Sequence, residues 1–245
     1  MALPGIYDTF QHWGEKHQTI WIYSDPHFND NELTVNIKNR PSAEEQVKKI
    51  NAKCGHRDVL VCLGDIGNIE YVRQLHAEYK VLIMGNHDSG STNYKRQIIH
   101  KIYDQDKYTK KQVFDEMTTL FPNWKITVSE TYDFHPPFKC WNACADNLLF
   151  DEVYEGALII GKKIILSHEP IVGLNWALNL HGHVHDKQAK TDAYHINCCS
   201  DAIGYEPINL NQLLKSGPTA HIQSIHRQII DSATKRKRKK NKEIV

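Results

Sequence analysis

Asp58-Val59-Leu60-Val61-Cys62-Leu63-Gly64-Asp65 sets the architecture of this chain. Its apolar residues run on without a break, which marks a strand buried on both faces, because a half-exposed strand would alternate. The run ends on a glycine and a carboxylate. The same arrangement stands on either side of it. Thr19-Ile20-Trp21-Ile22-Tyr23-Ser24 leads into Asp25-Pro26-His27, and Lys80-Val81-Leu82-Ile83-Met84 leads into Gly85-Asn86-His87-Asp88. Helical patterns separate the strands. Ser42 with Glu45 three residues on forms a capping box, and Val47 and Ile50 line one face of the helix that follows over Ala43–Lys53. Val72, Leu75 and His76 suggest a second helix over 69–79. Strands alternating with helices at this spacing predict βαβ units and a largely parallel sheet core.

Further along, the pattern loosens. Residues 98–120 are polar and read as partly helical. Trp124-Lys125-Ile126-Thr127-Val128 and Glu152-Val153-Tyr154-Glu155 read as strands of a more exposed sheet, with Asp133-Phe134-His135-Pro136-Pro137 as a loop. Residues 157–167 form a hairpin turning at Gly161, whose second strand delivers Ser167-His168-Glu169. Leu178-Asn179-Leu180 delivers Gly182-His183-Val184-His185. His195-Ile196-Asn197-Cys198-Cys199 is a late strand, and a short helix follows within 207–214. The expected organisation is an N-terminal extension (1–18) and a main domain (19–215) in which about 90–150 is a pocket-shaping insertion. A C-terminal segment (216–245) follows, and its basic run is expected to be disordered.

Bulk properties narrow the class. The chain has 245 residues, enough for one domain with a sizeable core. Lys+Arg 30 against Asp+Glu 29 points to no partner by net charge. No stretch reaches the roughly 18–20 apolar residues of a membrane span, and no signal peptide opens the sequence, so no membrane partner and a cytoplasmic location are expected. Six cysteines without paired Cys-x-x-Cys spacing read as reduced thiols rather than a zinc site or a disulfide framework.

Five polar segments, each directly after an apolar run, carry ligand chemistry. Asp25 and His27 are two apart and so share one side of an extended strand. Asp65 can bridge two ions with its two oxygens. Asn86 offers a neutral amide oxygen, and His168, His183 and His185 offer imidazoles. Gly64, Gly85 and Gly182 each precede a ligand and allow tight turns and close approach. Such a mixed oxygen and nitrogen set suits manganese, iron, zinc or nickel. Two ions about 3.5–4 Å apart are a standard device for cleaving phosphate esters.

These blocks resemble the calcineurin-like metallophosphoesterases, whose order is Asp-x-His, Gly-Asp, Gly-Asn-His-Asp/Glu, a lone His and Gly-His-x-His. The resemblance covers about 19–215 and is closest to a compact bacterial and phage branch. It implies an α/β fold, an αββα sandwich of two mixed β-sheets flanked by helices, with two divalent ions, manganese first, at strand-end loops. It implies that Asp25, His27, Asp65 and His185 hold one ion, and that Asp65, Asn86, His168 and His183 hold the other. A hydroxide shared by the ions would attack phosphorus, His87 would give a proton to the leaving group, and Asp88 would hold the ring of His87. Protein phosphatases of the superfamily carry Asp-Arg-Gly in the second block and Glu after the catalytic His. Here Ile66-Gly67-Asn68-Ile69 and Asp88 stand instead.

The expected substrate is therefore a small or nucleotide-like phosphomonoester or phosphodiester. Arg40 either binds substrate phosphate or is a surface or salt-bridged arginine. Tyr94, Tyr132, Phe134, Phe138 and Trp141 either stack on a base or form a minor core. The run Lys235-Arg236-Lys237-Arg238-Lys239-Lys240-Asn241-Lys242 supplies an alternative, a nucleic-acid-binding nuclease. A non-catalytic metal-binding protein is a third reading.

Overall fold

The computed structural model describes residues 13, 19–37, 39–88, 94, 96–134, 137–160, 163–185, 192–223 and 225–242. The strands run, in chain order, β1 (Ile20–Tyr23), β2 (Val59–Cys62), β3 (Tyr79–Ile83), β4 (Ile98–Asp104), β5 (Lys125–Phe134) and β6 (Pro137–Asp146). They continue with β7 (Glu152–Tyr154), β8 (Leu158–Ile160), β9 (Ile164–Ser167), β10 (Leu178–His181), β11 (His195–Asn197) and β12 (Ile208–Asn209). Two compact units emerge, Met1–Gly90 with Glu152–Val245, and Ser91–Asp151.

The first unit holds two mixed sheets, in the orders β12-β1-β2-β3-β7 and β11-β10-β9-β8. Strands β1, β2, β3 and β7 are mutually parallel, and β12 runs antiparallel to β1. In the second sheet, β9, β10 and β11 are parallel and β8 closes an antiparallel hairpin with β9. Alternate residues of both sheets meet in one core: Ile20, Ile22, Val59, Val61, Val81 and Ile83 from the first, Leu158, Leu166, Leu178 and Leu180 from the second. That period of two is what a sheet sandwich requires. β2 is buried along its whole length, as its unbroken apolar run predicts.

The helix Ala43–Lys53 carries the expected capping box between Ser42 and Glu45. It is tied to the first sheet through the Tyr23 hydroxyl, which donates to Gln46 Oε1 at 3.2 Å. The outward side chains Ile159 and Ile165 of the second sheet pack with Ile171, Leu174, Trp176 and Ala177.

Several local expectations change. The helix expected over 69–79 is only a 3₁₀ turn, Ile69–Gln74. The Asn51 side chain stops it, donating to Gln74 O and accepting from His76 N, both at 2.8 Å, so that the chain is extended again before β3. Glu152–Tyr154 is no part of an exposed sheet. It is the edge strand of the main one, beside β3, where Glu152 accepts bonds from Tyr79, Tyr154 and Trp13. Trp13, within the expected N-terminal extension, is 0% exposed and belongs to the sandwich core. The basic run, expected to be disordered, lies in the helix Ile225–Lys242. Lysine and arginine are good helix formers, and Arg227 pairs with Asp231 one turn on at 3.2 Å.

The second unit is an antiparallel sheet, β4-β6-β5, with the helix Lys110–Leu120 on one face. Val113 and Met117 of the helix meet Ala143 and Ala145 of β6, with Trp124 and Trp141 partly buried beside them. Trp141 thus belongs to a minor core, and its indole donates to Tyr108 O. Residues 98–104, read as part of a helical region, form a strand, and the helix begins only at Lys110, behind a Thr109–Gln112 capping box. The loop expected at 133–137 narrows to a hairpin, because Phe134 and Pro137 still pair. Its turn at 135–136, like the one expected at Gly161, lies outside the described residues.

Candidate metal centre

All seven predicted ligands lie in the first unit, on loops at the ends of β1, β2, β3, β9 and β10. The loop after β1 is stitched to the loop after β2. Asp25, His27 and Phe28 donate their amides to the carbonyls of Gly64, Asp65 and Ile66 at 3.1, 3.0 and 2.9 Å. Gly182 N donates to His168 O at 2.7 Å and joins the β10 loop to the β9 loop. Five of the seven predicted ligands have positive φ: Asp25 at 52°, His27 at 39°, Asp65 at 55°, His183 at 71° and His185 at 50°. Non-glycine residues seldom sit there, at a cost of order 1–3 kcal/mol each, and such strain gathers at functional sites.

Asp65 stands at the centre. Its Oδ2 lies 3.4 Å from His27 Nε2, 3.5 Å from His168 Nε2 and 3.9 Å from His87 Nε2. Its Oδ1 accepts the His87 amide at 2.9 Å. Burial pushes the Asp65 carboxyl up, but the nearby His27 and His168 rings outweigh it, and the group sits below the usual carboxylate range. Asp25 is fully buried. Its Oδ2 accepts from Ser24 Oγ at 2.5 Å, His183 N at 3.0 Å and Cys199 Sγ at 3.3 Å. Oδ1 faces His27 Nε2 at 4.0 Å and His185 Nε2 at 3.9 Å.

Beyond Asp65 lies a second cluster. His168 Nε2, His183 Nδ1 and Asn86 Oδ1 are mutually 2.9, 3.0 and 3.1 Å apart. The other ring nitrogen of His168 lies 2.8 Å from Leu63 O, so a proton there leaves Nε2 as a bare lone pair. Converging lone pairs repel one another unless a proton or a cation sits between them. His27 Nε2 is buried without a hydrogen-bond partner, 3.4 Å from the central carboxylate. Asp25, His27 and His185 form one group with metal-compatible spacing, and Asp25, Asp65 and His168 form another. The donor set therefore fits divalent cations.

The glycines do what their positions predict. A Cβ on Gly182 would collide with Ser24 Oγ and Asp25 Oδ2, and one on Gly85 would collide with Asp65 Oδ1.

Roles around the ligands are partly redistributed. His87 is at the rim, its side chain 67% exposed. Asp88 is 1% exposed, and its carboxylate accepts the amides of Asp65 at 2.6 Å, Gly85 at 3.0 Å and Ile66 at 3.1 Å. Besides its expected role of holding the His87 ring, these bonds make it an anchor of the Asp65 and Gly85 turns. Arg40, offered as a phosphate contact, is buried. Its Nη2 donates to Pro26 O at 2.5 Å and to Asp25 O at 3.4 Å, so it is neither a surface residue nor, among the described residues, held by a carboxylate, and it fixes the first ligand loop.

Asp201 was assigned no role from sequence. Its Oδ2 lies 3.1 Å from His185 Nδ1, and that bond raises the His185 pKa while aiming Nε2 at Asp25. The signal was present, since Asp201 follows the buried Cys198-Cys199-Ser200 just as Asp25 and Asp65 follow their strands.

A sandwich of mixed sheets with acidic and imidazole ligands at its strand ends defines a metal-dependent phosphoesterase class. The family model described as calcineurin-like phosphoesterase matches residues 18–190, and the chain belongs to that family. No curated protein matches it. A solved structure, the protein of unknown function AQ665 from Aquifex aeolicus, is 21% identical over 80% of this chain and 98% of that one, with a TM-score of 0.48. No helix among the described residues is long and apolar enough to cross a membrane.

Proposed function

We propose that this protein hydrolyses phosphate esters of small or nucleotide-like molecules, with two divalent metal ions, manganese first among them. The observation that carries the reading is the position of Asp65 Oδ2, within 3.5 Å of both His27 Nε2 and His168 Nε2. One carboxylate thereby faces two ligand groups at once. Asp25, His27 and His185 would complete one set with Asp65, and Asn86, His168 and His183 the other. When bound, such ions lower the pKa of water and neutralise phosphoryl charge. His87, exposed beside the central carboxylate, gives the departing alkoxide its proton. Asp88, Arg40 and Asp201 hold the ligand loops and the His185 ring in place. The absence of an arginine after Asp65 supports small esters over phosphoproteins. The test is hydrolysis of bis-p-nitrophenyl phosphate and p-nitrophenyl phosphate by manganese-loaded protein. Turnover of neither ester by protein carrying two equivalents of metal would sink the proposal.

A second reading, binding of nucleic acid, is favoured by the basic run in the helix Ile225–Lys242. Clustered lysine and arginine release counterions from a phosphate backbone, so the affinity should fall steeply with salt. Truncation after Ala233 should abolish a salt-sensitive gel shift; an unchanged shift would retire this reading.

A further inference from the structure

Beside the ligand pair Asn86 and His168 lies a cavity of about 470 Å³, formed wholly within the first unit. Its size falls in the range of small-molecule sites, roughly 300–1,000 Å³. Ile83, Met84 and Ile171 give it an apolar wall, and Glu155 and Glu169, both exposed, give it two carboxylates. No lysine or arginine is among its described lining residues. The Glu169 side is held firmly: Ser167 Oγ donates to Glu169 O at 2.6 Å, Asn179 Nδ2 donates to Ser167 Oγ at 2.8 Å, and Ile171 N donates to Asn179 Oδ1 at 2.8 Å.

We infer that this cavity receives the arm of a phosphodiester that stays on phosphorus and selects a cationic or uncharged arm over an anionic one. The inference rests on the phosphoesterase reading and narrows its substrate class. With phosphorus at the ligand cluster and the departing group at His87, the arm that stays on phosphorus has the cavity beside Asn86 and His168 to enter. A second negative charge in that arm would meet Glu155 and Glu169 with no cation among the described lining residues to offset them. An ammonium group would meet two opposite charges. The apolar wall accepts the body of the arm, up to roughly the size of a nucleoside.

The experiment uses p-nitrophenyl phosphodiesters that differ in the second arm: choline, thymidine, and a carboxyethyl arm of the same reach as choline. With manganese-loaded protein, kcat/KM should follow choline, then thymidine, then carboxyethyl. The choline-to-carboxyethyl ratio should fall about tenfold in Glu155→Gln/Glu169→Gln, the scale of a modest charge–charge term. An unchanged ratio in that double variant overturns the inference.

Gly156 offers a second handle. A Cβ there meets nothing within 4 Å, so Gly156→Leu adds bulk at the cavity lining with no clash at Cβ. It should lower kcat/KM for the thymidine diester more than for methyl p-nitrophenyl phosphate; equal loss counts against the cavity as the binding place. Should every diester resist hydrolysis, that result falls on the phosphoesterase reading alone. Calorimetric binding of the matching methylphosphonates to the metal-loaded protein then decides the cavity. Tighter binding of the cationic analogue that is lost in the double variant supports it, and equal affinity for the cationic and anionic analogues overturns it.

Discussion

Replacing Asp88 with asparagine tests how the ligand loops are held. The Asp88 carboxylate accepts three backbone amides, from Asp65 and Gly85 on Oδ2 and from Ile66 on Oδ1. Asparagine keeps the volume but has one acceptor oxygen. In its best orientation it retains the two bonds of Oδ2 and points its NH₂ group at the Ile66 amide. One buried N–H left unpaired costs about 1–3 kcal/mol. The two remaining bonds lose the charge assistance that roughly doubles such interactions, which adds about 1 kcal/mol. Asp88→Asn should therefore destabilise the metal-free protein by about 2–4 kcal/mol. Against a typical stability of about 5–15 kcal/mol the protein remains folded. Urea unfolding of both proteins in a chelator measures the loss, and elemental analysis after reloading measures metal retention, which should fall. A loss below about 0.5 kcal/mol with full metal content would refute the anchoring argument. If Asp88 acted only by orienting His87, stability would be unchanged and turnover alone would drop.

His87→Ala should lower turnover about 100-fold or more while the bound metal stays at wild-type stoichiometry; undiminished turnover would remove His87 as the proton donor. Asp65→Asn weakens the acceptor facing both ligand groups and should lose metal along with activity, whereas two retained equivalents would argue against a bridging carboxylate. Arg96 donates to both oxygens of Asp146 at 3.1 and 2.6 Å and holds its carboxyl below the usual range. A carboxyl depressed in the folded state contributes stability above its unfolded pKa, about 3.9, and that contribution disappears as pH falls through the folded value. Urea midpoints of Arg96→Gln and the unsubstituted protein should therefore differ at pH 7 and converge in strong acid. A gap that persists there would show that Arg96 acts by something other than the ion pair.

The candidate ligands stood out in the sequence for a physical reason. Polar residues placed at the ends of largely apolar strands have little structural excuse: Asp25, Asp65, Asn86 and His168 end such runs, and His183 and His185 stand in the glycine turn after β10. The capping box at Ser42 is equally local, so Ala43–Lys53 is found with the expected bounds. What depended on distant partners was misread. The turn at Ile69–Gln74 ends where Asn51 captures it, and Glu152–Tyr154 joins the main sheet because β3 offers it an open edge.

The sequence by itself determined the βαβ core, the family and which side chains are offered as ligands, because strand burial and turn chemistry are written in consecutive residues. Only the tertiary structure decided what the neighbouring polar groups do. Arg40 reaches Pro26 O, Asp88 gathers the amides of two separate turns, and Asp201 holds His185. A buried carboxylate or guanidinium takes whatever unpaired backbone or ring nitrogen lies within about 3 Å. Those neighbours are set by the packing of strands far apart in the chain, a relation that no local pattern encodes.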